Sequence, residues 1–250
     1  MTVDKYNLID RGTEHTVHSF EELTEFVQPF RKNGKWLFRG VSQCSYELIP
    51  KIGRPDKRKD RFGNNLGYDV KSEETMIRHF IRSAGPYVEH LPSSQLDWLA
   101  LAQHHGMFTR LLDWTESLLV AAYFAVEDHR NKEEVPMIYC VRDIQTVPYE
   151  PVLDFQKLDE LEDVMLYYPP HISPRITAQS GVFTVHNNPG NPFRPSKLFR
   201  IKIGKSPLTM KFNLNSCGIH KASLFPGIDG LAEHQAWLYK WGEHLQYRDT

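Results

Sequence analysis

Thr109-Arg-Leu-Leu-Asp-Trp-Thr-Glu-Ser-Leu-Leu-Val-Ala-Ala-Tyr-Phe-Ala-Val126 is the stretch whose reading decides the fold class. Thr109 to Trp114 reads as a short strand. Successive side chains alternate, so Thr109, Leu111 and Asp113 share one face while Arg110, Leu112 and Trp114 share the other. From Leu118 to Asp128 the pattern is helical and has no polar face over Leu118–Val126, so this helix has to be central. Leu119 to Ala125 are expected to be almost wholly buried, with Trp114 packed beside them. That run of 9 apolar residues is the longest in the chain and falls short of the roughly 20 that span a membrane.

Working outward, Gly106 stops a helix that Ser93 or Ser94 caps and that runs to about His105. Ser72 opens an earlier helix with Met76, Ile77, Phe80, Ile81 and Ala84 on one side, and Gly85-Pro86 ends it. Lys35-Trp-Leu-Phe-Arg39, closed by Gly40, reads as a buried strand. Before it, the capping box Ser19-x-x-Glu22 begins a helix over about 20–30. Downstream, Met137–Val141, Val182–Val185 and Lys197–Ile203 read as strands. Ser206-Pro207 starts a helix that Gly218 ends, and a last helix begins near Asp229 and includes Ala232, Trp237, Leu238 and Trp241. Ile52–Gly67 and Asn187–Pro195 carry the glycines, prolines and asparagines of exposed loops. Helices and strands mix without a regular β-α-β count. The class is therefore α+β, one domain over residues 1–250 with a mixed sheet flanked by helices.

Composition narrows the function classes. With 250 residues, 40% apolar and 24% charged, the chain is an ordinary globular protein that can bury a sizeable core. Its 30 basic and 31 acidic residues leave a net charge of −1, so bulk charge points to no polyanionic partner. The basic loop Lys51–Arg61, with six basic and two acidic residues, can touch phosphates but is read as solvated, and nucleic acid is the least favoured partner. Cys44, Cys140 and Cys217 form no C-x-x-C pair, which fits a cytoplasmic location and neither a disulfide framework nor a cysteine zinc site. The start, Met1 to Asn7, has no basic stretch leading into an apolar one, so no secretory signal is expected. His15-x-x-His18 has no third ligand near it, so no metal site is expected. P-loop, nucleophile-elbow and zincin motifs are absent from the sequence.

Three blocks place polar groups in apolar surroundings. In Trp36-Leu-Phe-Arg39-Gly40, an arginine at a strand end presents a planar fork suited to phosphate or carboxylate; the alternative is a structural ion pair. Gln103-His-His-Gly-Met-Phe-Thr-Arg-Leu-Leu-Asp-Trp-Thr115 gathers Gln103, His104, Thr109, Arg110 and Asp113. Here too structural readings stand beside the functional ones: Asp113 can cap the next helix, and Arg110 can be its ion-pair partner. Arg175-Ile-Thr-Ala-Gln-Ser-Gly-Val-Phe-Thr-Val-His186 puts Gln179 at the start of a strand, where an amide can read a ribose or base edge or simply tether backbone.

In this order the blocks resemble the FRG domain family, which takes its name from the tripeptide seen here as Phe38-Arg39-Gly40. Gln103-His-x-Gly106-x-x-Thr109-Arg-Leu-Leu-Asp-Trp-Thr115, followed by Leu119-Val-Ala-x-Tyr-Phe-Ala125, is similar to its second motif. Arg175-Ile-x-x-Gln179-x-Gly181-x-Phe183 is similar to its third, and Gly218-Ile with Ala222-Ser-Leu-Phe-Pro-Gly-x-Asp-Gly-Leu231 to its C-terminal signature. The resemblance covers about residues 20–240; Leu118 departs from it, standing where the family usually has proline. It implies a bacterial or phage protein acting near phage defence or a toxin system. More distantly, the order Arg39, Thr109, Gln179 resembles ADP-ribosyltransferases of the arginine-serine-glutamate type. That resemblance implies an ADP-ribosyltransferase-like fold, NAD as substrate rather than a resident cofactor, and catalytic roles for Arg39, Thr109, Asp113 and Gln179. Gly40, Gln103, His104, Arg110 and His186 then serve as ligand-binding residues. Gln179 stands where a glutamate is expected and supplies no charge, which leaves Asp113 as the nearest carboxylate. Two function classes result: an NAD-consuming transferase or glycohydrolase with a protein acceptor, and a non-catalytic module that recognises a nucleotide or a protein.

Overall fold

The computed structural model describes residues 5–12, 14–55, 58–88, 91–128, 134–148, 155–170 and 174–241. In chain order the strands are β1 (Glu14–Val17), β2 (Leu37–Val41), β3 (Leu111–Thr115), β4 (Met137–Arg142), β5 (Met165–Tyr167), β6 (Gly181–Val185) and β7 (Lys197–Ile203). They form a 7-stranded sheet in the order β1-β7-β4-β2-β3-β6-β5. β1 runs parallel to β7 and the other pairings are antiparallel, so the sheet is mixed, and the fold is α+β as expected. The helices are α1 (Lys5–Asp10), α2 (Phe20–Thr24), α3 (Val27–Lys32), α4 (Val70–Ala84), α5 (Gln95–His104), α6 (Leu118–Val126), α7 (Phe155–Asp159), α8 (Pro174–Ala178), α9 (Pro207–Ser216), α10 (Lys221–Leu224) and α11 (Ile228–Trp241).

α6 is central, as its composition demands. Ala121, Ala122 and Ala125 bring it close to the sheet, where it shares a core with Phe30, Phe38, Ile138 and Phe199. Leu119 and Phe124 are only partly buried, so the helix is less enclosed than expected. Trp114 does not lie beside it. Strand alternation sends Leu112 and Trp114 to the opposite face, into a second core with Leu37, Tyr139 and Val141, where the Trp114 indole donates to Thr184 Oγ1 at 3.0 Å. A third core lies under α4 and α5, with Ile77, Leu99, Leu111, Phe183 and Val185.

Several expected boundaries move for identifiable reasons. The helix expected over 20–30 is two, α2 and α3. Pro29 has no N–H to give to the carbonyl of Glu25, so it fits only in the first turn of a new helix. α4 starts at Val70 because Asp69, not Ser72, is the cap; its carboxylate accepts the Ser72 N–H at 2.9 Å. Of the two serines expected to cap α5, Ser94 is the cap and forms a capping box with Asp97, and Gly106 follows the helix at φ +91. β3 begins at Leu111 rather than Thr109, because the Arg110 N–H donates to Glu73 Oε1 (3.1 Å) instead of to a neighbouring strand.

Candidate functional site

β2 pairs with β4 at five successive positions, Leu37 to Val41. With its other neighbour, β3, it pairs at a single position, Phe38 opposite Thr115. Where the two strands part, a cleft of about 480 Å³ opens, a volume in the range of small-molecule sites. Gly40 stands at this divergence. A Cβ built on it would lie 1.9 Å from the carbonyl oxygen of Ala121 and 2.5 Å from the nitrogen of Ala125, so α6 rests directly on the β2 backbone. The family tripeptide's glycine is thus required by packing, whatever else it does.

Arg39 reaches across the gap. Its Nη1 donates to the backbone carbonyl of Asp113 at 2.7 Å, giving that carbonyl the kind of hydrogen bond a fully paired strand would have supplied. The same nitrogen lies 3.5 Å from Asp113 Oδ2. Burial lowers the Arg39 pKa from its ordinary value and the nearby charge of Arg54 adds to this, while Asp113 opposes them. The Asp113 side chain is 60% exposed and points into the cleft; it pairs with neither Arg110 nor the amides of α6.

The other oxygen of Asp113 is held by a relay. Gln103 Nε2 donates to Asp113 Oδ1 at 2.8 Å. The Thr109 hydroxyl donates to Gln103 Oε1 and itself accepts the Leu111 N–H at 3.1 Å. This chain fixes the direction of every proton. With its oxygen engaged by Thr109, Gln103 can present only its NH₂ to the carboxylate. Thr109, expected as a catalytic residue, is fully buried and does not line the cleft; its hydroxyl is connected to the cleft through Gln103.

Gln179 lies between α8 and β6 and lines the opposite wall. Its Nε2 donates to the Leu224 backbone carbonyl at 2.9 Å, and its backbone carbonyl accepts from Thr115 Oγ1 at 2.7 Å. It therefore ties α10 and β3 to the cleft wall. Arg175, one turn earlier on α8, donates to the His104 carbonyl at 3.2 Å and stacks over Phe225 at 4.4 Å. His104 is pushed down to about 4 by burial and by the charges of Arg175 and His105, so it is neutral at pH 7. Lys51 and Arg54 complete the basic side of the cleft, and Glu47 joins Asp113 on the acidic side. Cations outnumber carboxylates in the wall.

The structure thus brings Arg39, Gly40, Gln103, His104, Asp113 and Gln179 to one cleft. Two expected ligand residues lie elsewhere. Arg110 is fully buried in an ionic network: it bonds Glu73 Oε2 at 2.9 Å, Asp159 Oδ1 at 2.8 Å and the Tyr68 hydroxyl at 2.7 Å, joining the residue just before β3 to α4 and α7. His186 is 1% exposed and pairs with Thr184 Oγ1 at 3.0 Å; burial, with Arg39 and Arg110, pushes it down to about 3. Lys51, Arg54 and Arg175 were not among the expected site residues. Arg175 sits inside the third block and Lys51 and Arg54 in the basic loop, so the density of basic residues was the available signal. No cluster of three metal-ligating side chains occurs among the described residues, and no helix there is long and apolar enough to cross a membrane.

Fold and site define an α+β protein whose seven-stranded mixed sheet is opened by a cation-rich cleft between two of its central strands. Residues 34–134 match the sequence model of the FRG domain family. The match takes in Arg39, the Gln103–Thr115 block and α6, while the blocks around Gln179 and Ala222–Leu231 lie beyond it. No curated protein and no solved structure matches the chain.

Proposed function

We propose that the cleft binds a pyrophosphate-bearing nucleotide of the NAD type and breaks its nicotinamide N-glycosidic bond, as an ADP-ribosyltransferase-like or glycohydrolase-like site. One observation carries this reading: a half-exposed carboxylate, Asp113, lies among Arg39, Lys51, Arg54 and Arg175 in one cleft. The cations suit phosphate oxygens, and an arginine fork grips them in two places. As the glycosidic bond breaks, nicotinamide leaves with the bonding electron pair and positive charge develops on the ribose. Asp113 is the group able to stabilise that charge. Water then adds to the anomeric carbon and releases a proton, or a nucleophilic side chain of an acceptor protein does so in its place. Turnover of NAD would fit the phage-defence or toxin setting that the family resemblance implies.

A second reading, a binding module without turnover, is favoured by a different observation. Arg39 and Gln179 both donate to protein carbonyls, as scaffold residues do. Nicotinamide release from NAD, measured with and without cell extract as acceptor, separates the two. The enzyme reading expects release by the parent protein, loss of at least about 100-fold in Asp113→Asn with ADP-ribose binding kept, and loss of both in Arg39→Lys. ADP-ribose binding without release by the parent would leave the binding module, and neither binding nor release would reject both.

A further inference from the structure

Away from the cleft, residues 58–67 build a small hairpin. Lys59 bridges Asn65, the Leu66 N–H donates to the Arg58 carbonyl at 2.7 Å, and the Asp60 N–H to the Asn64 carbonyl at 3.0 Å. Asp60 organises the turn from within. Its Oδ1 accepts the N–H groups of Phe62 (2.8 Å) and Asn64 (2.9 Å), and its Oδ2 accepts the Asn64 side-chain amide (2.9 Å). These bonds hold its carboxyl below the ordinary carboxylate range. Arg58 anchors the base, donating to the Gly67 carbonyl at 3.1 Å and lying 3.6 Å from Asp69. At the tip, Phe62 is 75% exposed, and the Arg61 guanidinium sits 4.6 Å from its ring centroid.

The turn therefore holds an aromatic ring out into water, with the exposed cations Lys59 and Arg61 beside it and its one carboxylate engaged internally. We propose that this hairpin is a contact point for single-stranded nucleic acid, with a base stacking on Phe62 and backbone phosphates on Arg61 and Lys59. Every base has a π-face that can meet the ring, and every nucleotide has a phosphate that can meet the cations. An acidic peptide answers the charges but gives the ring no stacking partner. Because the turn is already ordered by its own hydrogen bonds, binding need not pay to order it. The local patch stands out against a chain whose net charge is only −1.

The test is fluorescence anisotropy of a labelled oligothymidylate of ~12 nucleotides, a length within the usual range of strand-binding sites, titrated with the full chain. Affinity is expected to fall with rising salt, with a log–log slope of about −0.7 per phosphate neutralised. Phe62→Ala is expected to weaken binding about 5- to 150-fold, and Phe62→Trp to keep it. Arg61→Gln is expected to make the salt slope shallower, and excess ADP-ribose to leave binding unchanged, since the cleft is a separate site. Phe62 is exposed, so its replacement leaves the fold intact, which an unchanged melting temperature verifies. No binding by the parent at low salt, Phe62→Ala binding as tightly as the parent, or equal binding to polyglutamate or to anionic lipid vesicles would each overturn the proposal.

Discussion

Asp113 illustrates how much of this site is decided one hydrogen bond at a time. Its backbone carbonyl takes Arg39, one side-chain oxygen takes Gln103, and Gln103 is itself oriented by the buried Thr109 hydroxyl. Thr109 is thus a positioning residue, and it can be tested without knowing the ligand. Thr109→Val keeps the shape but leaves the Leu111 N–H without its acceptor and lets the Gln103 amide turn. A buried donor left unpaired costs about 1–3 kcal/mol. Thr109→Val is therefore expected to lose that much stability in denaturant unfolding, with a shift of the Gln103 side-chain amide resonances. Thr109→Ser, which keeps the hydroxyl, should stay close to the parent. A Val variant as stable as the parent, with unmoved amide resonances, would contradict the relay.

At the scale of elements, the contact of β2 with α6 forms one wall of the cleft. Gly40 permits it, because a methyl group there would meet backbone atoms of Ala121 and Ala125 rather than a yielding side chain. Overpacking ordinarily costs about 1–3 kcal/mol, and a clash with helix backbone belongs at the upper end or beyond. Gly40→Ala should therefore lower the midpoint of denaturant unfolding markedly, and an unchanged midpoint would show that α6 does not rest on the strand. The apolar helix, a serine cap at 93 or 94 and most strands were legible in the sequence because their signals are local. Trp114 was not, because alternation groups it with Leu112 without saying which face the helix covers; strand pairing decides that. α1, β1, β5, α7, α8 and α10 are short pieces, of 3 to 6 residues, too brief for periodicity to show.

For the whole molecule, the controlling feature is that a seven-stranded sheet parts between two of its central strands. Arg39, Asp113 and Gln179 were legible as polar groups in apolar blocks, but Arg39 and Asp113 fall mid-strand in β2 and β3 rather than at the expected strand ends, and the long-range pairing of β2, β3 and β6 is what assembles the three. Lys51, Arg54 and Arg175 come to the same cleft from a loop and a five-residue helix, where no pattern in the chain announces a shared destination. Arg110 misled for the opposite reason. An arginine inside a dense polar motif looks like a ligand residue, and only the fold shows Glu73 and Asp159 closing around it. The gap between β2 and β3 is the proposed nucleotide site. A crystal structure of the protein grown with ADP-ribose tests it most directly. Pyrophosphate density is expected within hydrogen-bond reach of Arg39 and a ribose beside Asp113; nucleotide bound elsewhere, or an empty cleft at saturating ADP-ribose, would overturn that assignment.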